Sequence, residues 1–232
     1  PAWNYTVVLS AGVLPLPTVV MFSNNTYSAT IWGDGGIGGP GALWKYGTAT
    51  SSVQTVNSYA GGTHLVAGTL SFVNGALGSG GIWFENNNTA TLRWSDGNSQ
   101  DISSRLQPIG SGNTATLDVG NNAVTLAYTV TGAGGIAKTG AGTLTLSGAN
   151  TFTGPLSIGR GTLKLGAAGD GTLSPLGTID AGTAVSGTGA ALDLNGFSLA
   201  TAEPLTLNGT GIATNGALLN SSGTAASYSG LL

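Results

Sequence analysis

Short runs in which apolar and small polar residues alternate recur along the chain, and they constrain its fold more than any other feature. Several of these runs follow a glycine: the sequence Gly-Thr-Leu stands at 68–70, 142–144 and 161–163. Alternation at period two is typical of strands with one buried face, and the glycines and asparagines between the runs supply turns with positive φ. No stretch of a dozen residues has a convincing helical period. The sequence therefore predicts an all-β protein.

The spacing of the runs indicates how the strands are arranged. The interval from the Gly-Thr-Leu run at 142–144 to the run at 161–163 is about 20 residues, a period that is typical of solenoids. In a solenoid each coil adds short strands that stack on those of the next coil. Leu and Val then point inward, while Thr and Ser face outward. The period is irregular, so a β-sandwich is the open alternative, and we favour the solenoid.

Residues 1–62 differ from the rest of the chain. They contain a glycine-rich segment at 33–41 and an apolar stretch at 5–22 that Pro15 and Pro17 interrupt. We interpret residues 1–62 as an irregular β-rich region, either a cap over the first coil or a distorted set of coils, and residues 63–232 as the solenoid. The stretch at 5–22 predicts one or two strands and no membrane span.

The composition excludes several classes of function. The chain has no Cys, which rules out disulfides, iron–sulfur clusters, thiol nucleophiles and thiolate zinc sites. Its six Lys and Arg residues are too few for the basic surface that nucleic-acid binding requires. Charged residues make up 6% of the chain and hydrophobic residues 41%, so the chain can bury enough apolar surface to fold. We expect no cofactor and no metal.

One segment carries a longer motif. Residues 132–154 read GAGGIAKTGAGTLTLSGANTFTG, and residues 161–165 read GTLKL. This segment, at 132–165, closely resembles the autotransporter-associated β-strand repeat, also called the passenger-associated transport repeat. Pro155 stands where that family often has Gly or Thr. The residues that carry the resemblance are Lys138, Gly140, Gly142, Leu144, Leu146, Gly148, Asn150, Gly154, Gly161, Leu163 and Leu165.

The resemblance has implications for fold and location. It implies a right-handed parallel β-helix in a secreted or surface-displayed bacterial protein. In that family the repeat is linked to passing the chain across the outer membrane and folding it outside. The repeat is not a catalytic signature, so we expect the motif residues to be structural.

A group of charged residues at 85–105 is the best candidate for catalysis. Asp96 and Asp101 flank a short turn, Glu85 lies upstream, and Arg93 and Arg105 are near in sequence. Paired carboxylates are the chemistry of glycosidases, and β-helix folds do host polysaccharide-degrading enzymes. The alternative, which we favour, is an Asx turn at Asp96 and a strand-start cap at Asp101.

Two further features invite a functional interpretation. His64 is the only histidine, and a Ser–His–Asp triad would have to include it. No nucleophile-elbow motif accompanies it, so we expect a surface histidine beside a turn. The segment at 33–39, GDGGIGG, superficially resembles calcium-binding and phosphate-binding loops. It lacks the recurring Asp of the first and the Gly-Lys-Ser/Thr ending of the second, so we expect a flexible loop.

Tryptophans are the better candidates for binding. Trp83 and Trp94 could be solvent-exposed platforms on which sugar rings stack. The alternative is that both pack inside a wide coil.

These observations favour a non-enzymatic, extracellular β-solenoid that forms a stalk, fibre or filament segment of a bacterial surface protein. Its expected partners are further copies of itself, docked end to end through the strand at 5–9 or the edge at Leu231–Leu232, or neighbouring repeats in a longer chain. An adhesin-type module that binds surface glycans is the alternative. A polysaccharide-degrading enzyme is the third and weakest interpretation.

Overall fold

Short parallel strands separated by turns make up nearly all of the regular structure. The structure is a computed structural model that describes residues 4–12, 15–169 and 172–230, with residues 86–89 described by their backbone alone. The predicted docking edge at Leu231–Leu232 lies outside the described residues. The strands are β1 Tyr5–Leu9, β2 Val19–Phe22, β3 Ala29–Gly33, β4 Ala42–Lys45, β5 Thr50–Val53, β6 Thr63–Phe72, β7 Ile82–Trp94, β8 Thr114–Asp118, β9 Ala123–Leu126, β10 Gly135–Thr139, β11 Thr143–Leu146, β12 Leu156–Ile158, β13 Gly161–Leu165, β14 Thr183–Val185, β15 Ala190–Asp193, β16 Leu205–Leu207 and β17 Leu218–Leu219.

The strands form two sheets that run along the molecule. The larger sheet has 12 strands in the order β1-β3-β5-β6-β7-β8-β10-β12-β14-β16, with β2 paired to β4 and β4 paired to β6. The smaller sheet has five strands in the order β17-β15-β13-β11-β9. Every ladder between these strands is parallel, which excludes the antiparallel β-sandwich. The all-β prediction is confirmed, and the sheets stack as a β-solenoid of about nine turns.

The interval between the second and third Gly-Thr-Leu runs corresponds to one coil. Thr143 on β11 lies opposite Thr162 on β13, and Leu144 lies opposite Leu163 in the same ladder. The chain therefore returns to the same position after one circuit. A hydrogen bond from the N–H of Thr162 to the carbonyl of Gly142 joins the two coils at this point.

Apolar side chains from successive coils form columns inside the solenoid. One column contains Val124, Leu144, Leu163 and Leu192, which face one another on β9, β11, β13 and β15. Each of these residues is at most 1% exposed, whereas the threonines that alternate with them are half-buried on β11 and β13 and exposed on β9. A single coil cannot bury its own apolar residues, so each coil is stabilised by the coils above and below it.

Residues before position 62 also form coils. β1, β3 and β5 pair in parallel with one another and with β6, so strands on both sides of residue 62 belong to one sheet. Of the two interpretations of this region, the pairing corresponds to distorted coils. The division at residue 62 itself stays a prediction.

The apolar stretch at 5–22 contributes β1 and β2, as the sequence predicts. Within the described part of the chain, no helix has the length and apolar character needed to span a membrane.

Candidate functional site

Two lysines are buried inside the solenoid. Lys45 ends β4 and Lys138 lies on β10, and both side chains are 0% exposed. Each takes a place in an otherwise apolar column: Lys138 lies between Leu117 on β8 and Ile158 on β12. A buried ammonium group is very unfavourable unless hydrogen bonds replace its water.

Main-chain carbonyls surround the ammonium of Lys138. Its Nζ donates to the carbonyl oxygens of Gly140, Gly142 and Arg160, each at 2.7 Å, and to that of Thr139 at 3.2 Å. The carbonyls of 139, 140 and 142 belong to the turn that follows β10, and the carbonyl of Arg160 belongs to the next coil. Lys138 therefore ties two coils together at a corner of the solenoid, and we call this arrangement the lysine cage.

Lys45 forms a second lysine cage with fewer partners. Its Nζ donates to the carbonyls of Gly47 and of Ala67, the latter at 3.0 Å. Burial lowers the pKa of Lys45 and the pKa of Lys138 to about 8. Both lysines are therefore mainly protonated at neutral pH. The protonated ammonium group has the N–H donors that these carbonyls need.

Each cage requires a glycine on the following coil. Gly161 has φ +70° and Gly68 has φ +68°, a conformation that other residues rarely adopt. A Cβ atom on Gly161 would lie 2.6 Å from Nζ of Lys138, and one on Gly68 would lie 2.7 Å from Nζ of Lys45. The glycine thus leaves the space that the ammonium occupies.

Two buried asparagines, Asn57 and Asn150, each link three coils. Oδ1 of Asn150 accepts from the N–H of Val130 in the coil before, at 2.7 Å, and its Nδ2 donates to the carbonyl of Pro175 in the coil after, at 2.6 Å. The equivalent bonds, both at 2.7 Å, involve Asn57, Ile37 and Ala76. These amides complete main-chain hydrogen bonding where the strands stop.

Comparison with known proteins finds one family model that matches parts of this sequence. The family model described as the passenger-associated-transport-repeat matches residues 45–72 and 136–165. These two segments, which we call the transport repeats, are similar to that family and together cover 58 of the 232 residues. No curated protein and no solved structure is significantly similar to the chain. The repeat and the solenoid together fit a segment of an autotransporter passenger, and the repeat implies a surface or secreted bacterial protein.

The two transport repeats correspond residue by residue at a distance of 93 positions. The corresponding residues that build the cages and the amide links are Lys45 and Lys138, Asn57 and Asn150, and Gly68 and Gly161. The sequence prediction includes only the second repeat. The spacing from Lys45 to Asn57 to Gly68 is the signal that would have found the first one, although the assumed boundary at residue 62 divides it.

Aromatic rings from three successive coils stack on the outer surface. The ring of His64 on β6 lies 3.9 Å from that of Trp44 on β4 and 4.5 Å from that of Trp83 on β7, with interplanar angles of 7° and 3°. Tyr46 continues this aromatic stack beside Trp44, at 5.4 Å. Nδ1 of His64 lies 2.8 Å from Oε1 of Glu85, which fixes the orientation of the imidazole ring.

The two tryptophans singled out in the sequence lie on opposite sides of the solenoid wall. Trp83 is half-buried in the aromatic stack, and the glycan-binding role of its ring stays a prediction. Of the two alternatives left open for Trp94, packing inside the coil is the one observed, because this side chain is 0% exposed. Its ring packs against Phe72, and its Nε1 donates to the carbonyl of Gln100 at 2.9 Å. Trp94 has no ring face available to a sugar.

The residues considered for catalysis do not converge on one site, although Arg93 and Asp96 line the same surface groove. Both carboxylate oxygens of Asp101 are occupied by hydrogen bonds from Ser103 and from the N–H of Ala127. Arg105 donates to three main-chain carbonyls at 77, 78 and 80. Asp96 is exposed on a different surface. Asp101 therefore fixes the turn before a short 3-10 helix at Ser103–Arg105, where the sequence predicted a cap at the start of a strand. The described residues contain no cluster suited to holding a metal ion.

The glycine-rich segment at 33–39 is packed rather than open. Ile37 is buried, and its carbonyl accepts from the N–H of Ser58 on the next coil. A Cβ atom on Gly36 would lie 2.1 Å from the carbonyl oxygen of Val56. These glycines allow neighbouring coils to approach closely. The segment is therefore packed and is not the flexible loop that the sequence predicted.

A buried carboxyl group lies near the last coils. Glu203 is 1% exposed, and its Oε1 accepts from the hydroxyl of Thr183 at 2.8 Å. Its Oε2 is buried and has no hydrogen-bond partner among the described residues. Burial raises the pKa of Glu203 to about 7, although the bond from Thr183 acts in the opposite direction.

We expect a Lys138→Met substitution to lower the free energy of unfolding by about 3 kcal/mol, because it leaves the inward-facing carbonyls of Gly140 and Arg160 without a donor. Lys45→Met should lose less, since that ammonium has fewer partners. The control is Lys164→Met, which removes a partly exposed ammonium beside the buried carboxylate of Asp193. That carboxylate keeps its hydrogen bonds from Asn195 and Ser221, so we expect a loss of only about 1 kcal/mol. Urea unfolding followed by circular dichroism measures all three. Equal stabilities of the Lys138 and Lys164 variants would contradict the caging role.

Stability should also depend on the ionisation of Glu203. Its pKa in the folded state lies above the ordinary value of 4.5, so the folded protein binds more protons than the unfolded chain between pH 4.5 and about 7. The contribution is complete below pH 4.5 and is lost as the pH rises through 7. We expect the wild type to lose about 3 kcal/mol relative to a Glu203→Gln variant over this interval.

Urea unfolding of both proteins at a series of pH values tests this dependence. The glutamine variant resembles the neutral acid at every pH and serves as the reference for all other titrating groups. A difference between the two proteins that does not change with pH would contradict the prediction.

Proposed function

We propose that this chain is a non-enzymatic, rod-like structural segment of a bacterial surface or secreted protein, and that it extends by adding a second copy end to end. The observation that carries the proposal is the continuity of the parallel sheets. The larger sheet runs from β1 to β16 without an interruption in its pairing. Such a stack gains length and rigidity with each coil.

The first described strands have an unpaired edge at the N-terminal end of the rod. β1 and β2 each have a pairing partner on one side only within the described residues. Val7 lies opposite the buried Ile31 and continues its column, yet 52% of Val7 is exposed. Together with Tyr5, Val20 and Phe22, these residues line a cleft of about 450 Å³ at the mouth of the solenoid.

The two ends of the rod are complementary in topology. In the two transport repeats β4 corresponds to β10 and β5 corresponds to β11. β2 therefore occupies the same side of the coil as β16, and β1 the same side as β17. An incoming copy could add β1 to β17 and β2 to β16 in parallel, as within the chain. Unpaired strand edges of this kind favour association with a further strand.

A structural role also accords with the chemistry of the site. Of the charged residues considered for catalysis, Asp101 accepts hydrogen bonds that fix a turn and Arg105 donates to main-chain carbonyls, as described above. The transport-repeat family is not a known enzyme family. The geometry thus favours a scaffold over a catalyst.

End-to-end docking predicts a specific effect of Val7→Lys. The substitution places a charge over the open apolar mouth, so we expect it to abolish filaments and leave folded single rods. Val56→Lys adds the same charge at a residue that is 72% exposed in the middle of the rod, and it should assemble like the wild type. Sedimentation velocity and negative-stain electron microscopy over a concentration series measure the outcome.

A wild type that stays monomeric at high concentration would overturn self-docking. The coils would then extend only into neighbouring parts of a longer chain. Filaments that persist in the Val7→Lys variant would place the contact elsewhere on the rod.

The aromatic stack favours a second candidate function, an adhesin-type glycan-binding module. Half-buried rings on an outer surface are typical of sugar-binding sites, although His64 already covers one face of Trp83. We expect Trp83→Ala to weaken binding to a recognised glycan by about tenfold. Trp32→Ala is the matched control, since Trp32 is 48% exposed and lies outside the stack. A glycan array on which the wild type binds nothing would exclude this function.

A further inference from the structure

A polar groove of about 470 Å³ crosses four neighbouring coils on the outside of the solenoid. Strand register places its residues at successive levels: Arg93 lies opposite Asp118, and Asp118 lies opposite Thr139. Coil by coil, the lining comes from Arg93 and Asp96, from Asp118 and Gly120, from residues 139–141, and from Gly159 and Arg160. Four levels of parallel strands span about 14 Å, which is longer than one sugar ring.

The floor of the groove has few side chains. A Cβ atom on Gly140 would lie 2.5 Å from Oδ1 of Asp118, so this position excludes larger residues. Above Gly159 the nearest atom to a Cβ position is 3.7 Å away, and above Gly120 it is 3.4 Å away. A flat ring can therefore approach the main chain closely, with charged side chains on either side.

The groove holds Arg160, which has no ion pair among the described residues, and Arg93, whose ion pair with Asp118 lies within the groove itself. Of the six Lys and Arg residues, three donate to main-chain carbonyls, as described above. Lys164 lies 3.6 Å from the carboxylate of Asp193 on another surface. The remaining two, Arg93 and Arg160, line the groove at its two ends. A chain with net charge −3 has no general attraction for anions, so an anion here would be recognised locally.

The two ends of the groove differ in their hydrogen-bonding capacity. Arg160 is exposed and has no ion pair or side-chain hydrogen bond with the described residues, so its guanidinium is available to a carboxylate. Nε of Arg93 lies 3.5 Å from Oδ2 of Asp118, whose Oδ1 accepts from the N–H of Gly120 at 2.9 Å. Asp96 is exposed beside them and accepts no hydrogen bond from the described residues. The oxygens of its carboxylate can accept hydrogen bonds from the hydroxyl groups of a sugar.

We propose that this groove binds a segment of an acidic polysaccharide built from uronic acids. A carboxylate of the sugar pairs with Arg160, and sugar hydroxyls donate to Asp96 and Asp118. The ring lies on the glycine floor between them. This binding goes beyond the structural role, because a rod that only extends needs no such groove on its side.

Isothermal titration calorimetry with hexagalacturonate tests the proposal, with a neutral hexasaccharide as the comparison ligand. We expect the acidic ligand to bind the wild type roughly tenfold more tightly than the neutral one. Arg160→Gln should remove that preference, and Asp96→Asn should weaken both ligands. Lys164→Gln is the matched control, because it removes the same charge outside the groove, and it should bind like the wild type.

Three results would overturn the proposal. They are no binding of hexagalacturonate by the wild type at millimolar concentration, an Arg160→Gln variant that binds the acid like the wild type, and an equal loss in the Lys164→Gln control. Far-ultraviolet circular dichroism of each variant confirms that the solenoid is intact. Self-docking through Val7 is measured without any saccharide, so failure of the groove and failure of the rod are distinguishable.

Discussion

Main-chain hydrogen bonds that run along the axis join each coil of this protein to its neighbours, and the rest of the structure depends on them. A parallel ladder needs strands of matching direction and register at every level. It also needs a dry interior, because exposed strands would exchange these bonds for bonds to water. The columns of Leu, Val and Ile supply that interior, with Leu144 and Leu163 as members of one column. A change in one coil therefore affects the coils above and below it.

The ladder of main-chain hydrogen bonds is least regular at the corners of the coils. Charged and amide side chains supply additional hydrogen bonds at these corners. Between strands some carbonyls, such as those of Gly140 and Arg160, turn inward toward the ammonium of Lys138. Lys45 and Lys138 supply donors to them from inside, and Asn150 bridges three coils with one amide. Arg105 also donates to a main-chain carbonyl, that of Gly78, at another corner. Glu203 differs from these residues, because its buried Oε2 has no hydrogen-bond donor among the described residues. Burial therefore favours the protonated form of its carboxyl group.

The parts of this architecture that depend on periodicity could be predicted from the sequence, whereas the contacts between coils could not. The interval between the Gly-Thr-Leu runs corresponds to one coil because register repeats once per circuit. Alternation could also have separated the two tryptophans, because Trp94 follows the charged Arg93 whereas Trp83 has an apolar residue on each side. Lys138 is different: its motif predicts a structural role, but three of its acceptors lie in a turn and the fourth lies on the next coil, at Arg160. Nothing in a local window indicates that these carbonyls converge.

The same geometry determines where binding sites can arise on such a rod. The groove residues Arg93, Asp118, Thr139 and Arg160 are 25, 21 and 21 positions apart, so they share no sequence motif and meet only through stacking. Their unequal spacing is tolerated because turns absorb insertions at little cost in free energy, while the register of the strands is unchanged. A shift of one residue within a strand has the opposite effect, since it exchanges the inner and outer faces of that coil. Loop length can therefore vary freely in this fold, whereas a surface site is preserved only while the register of its strands is preserved.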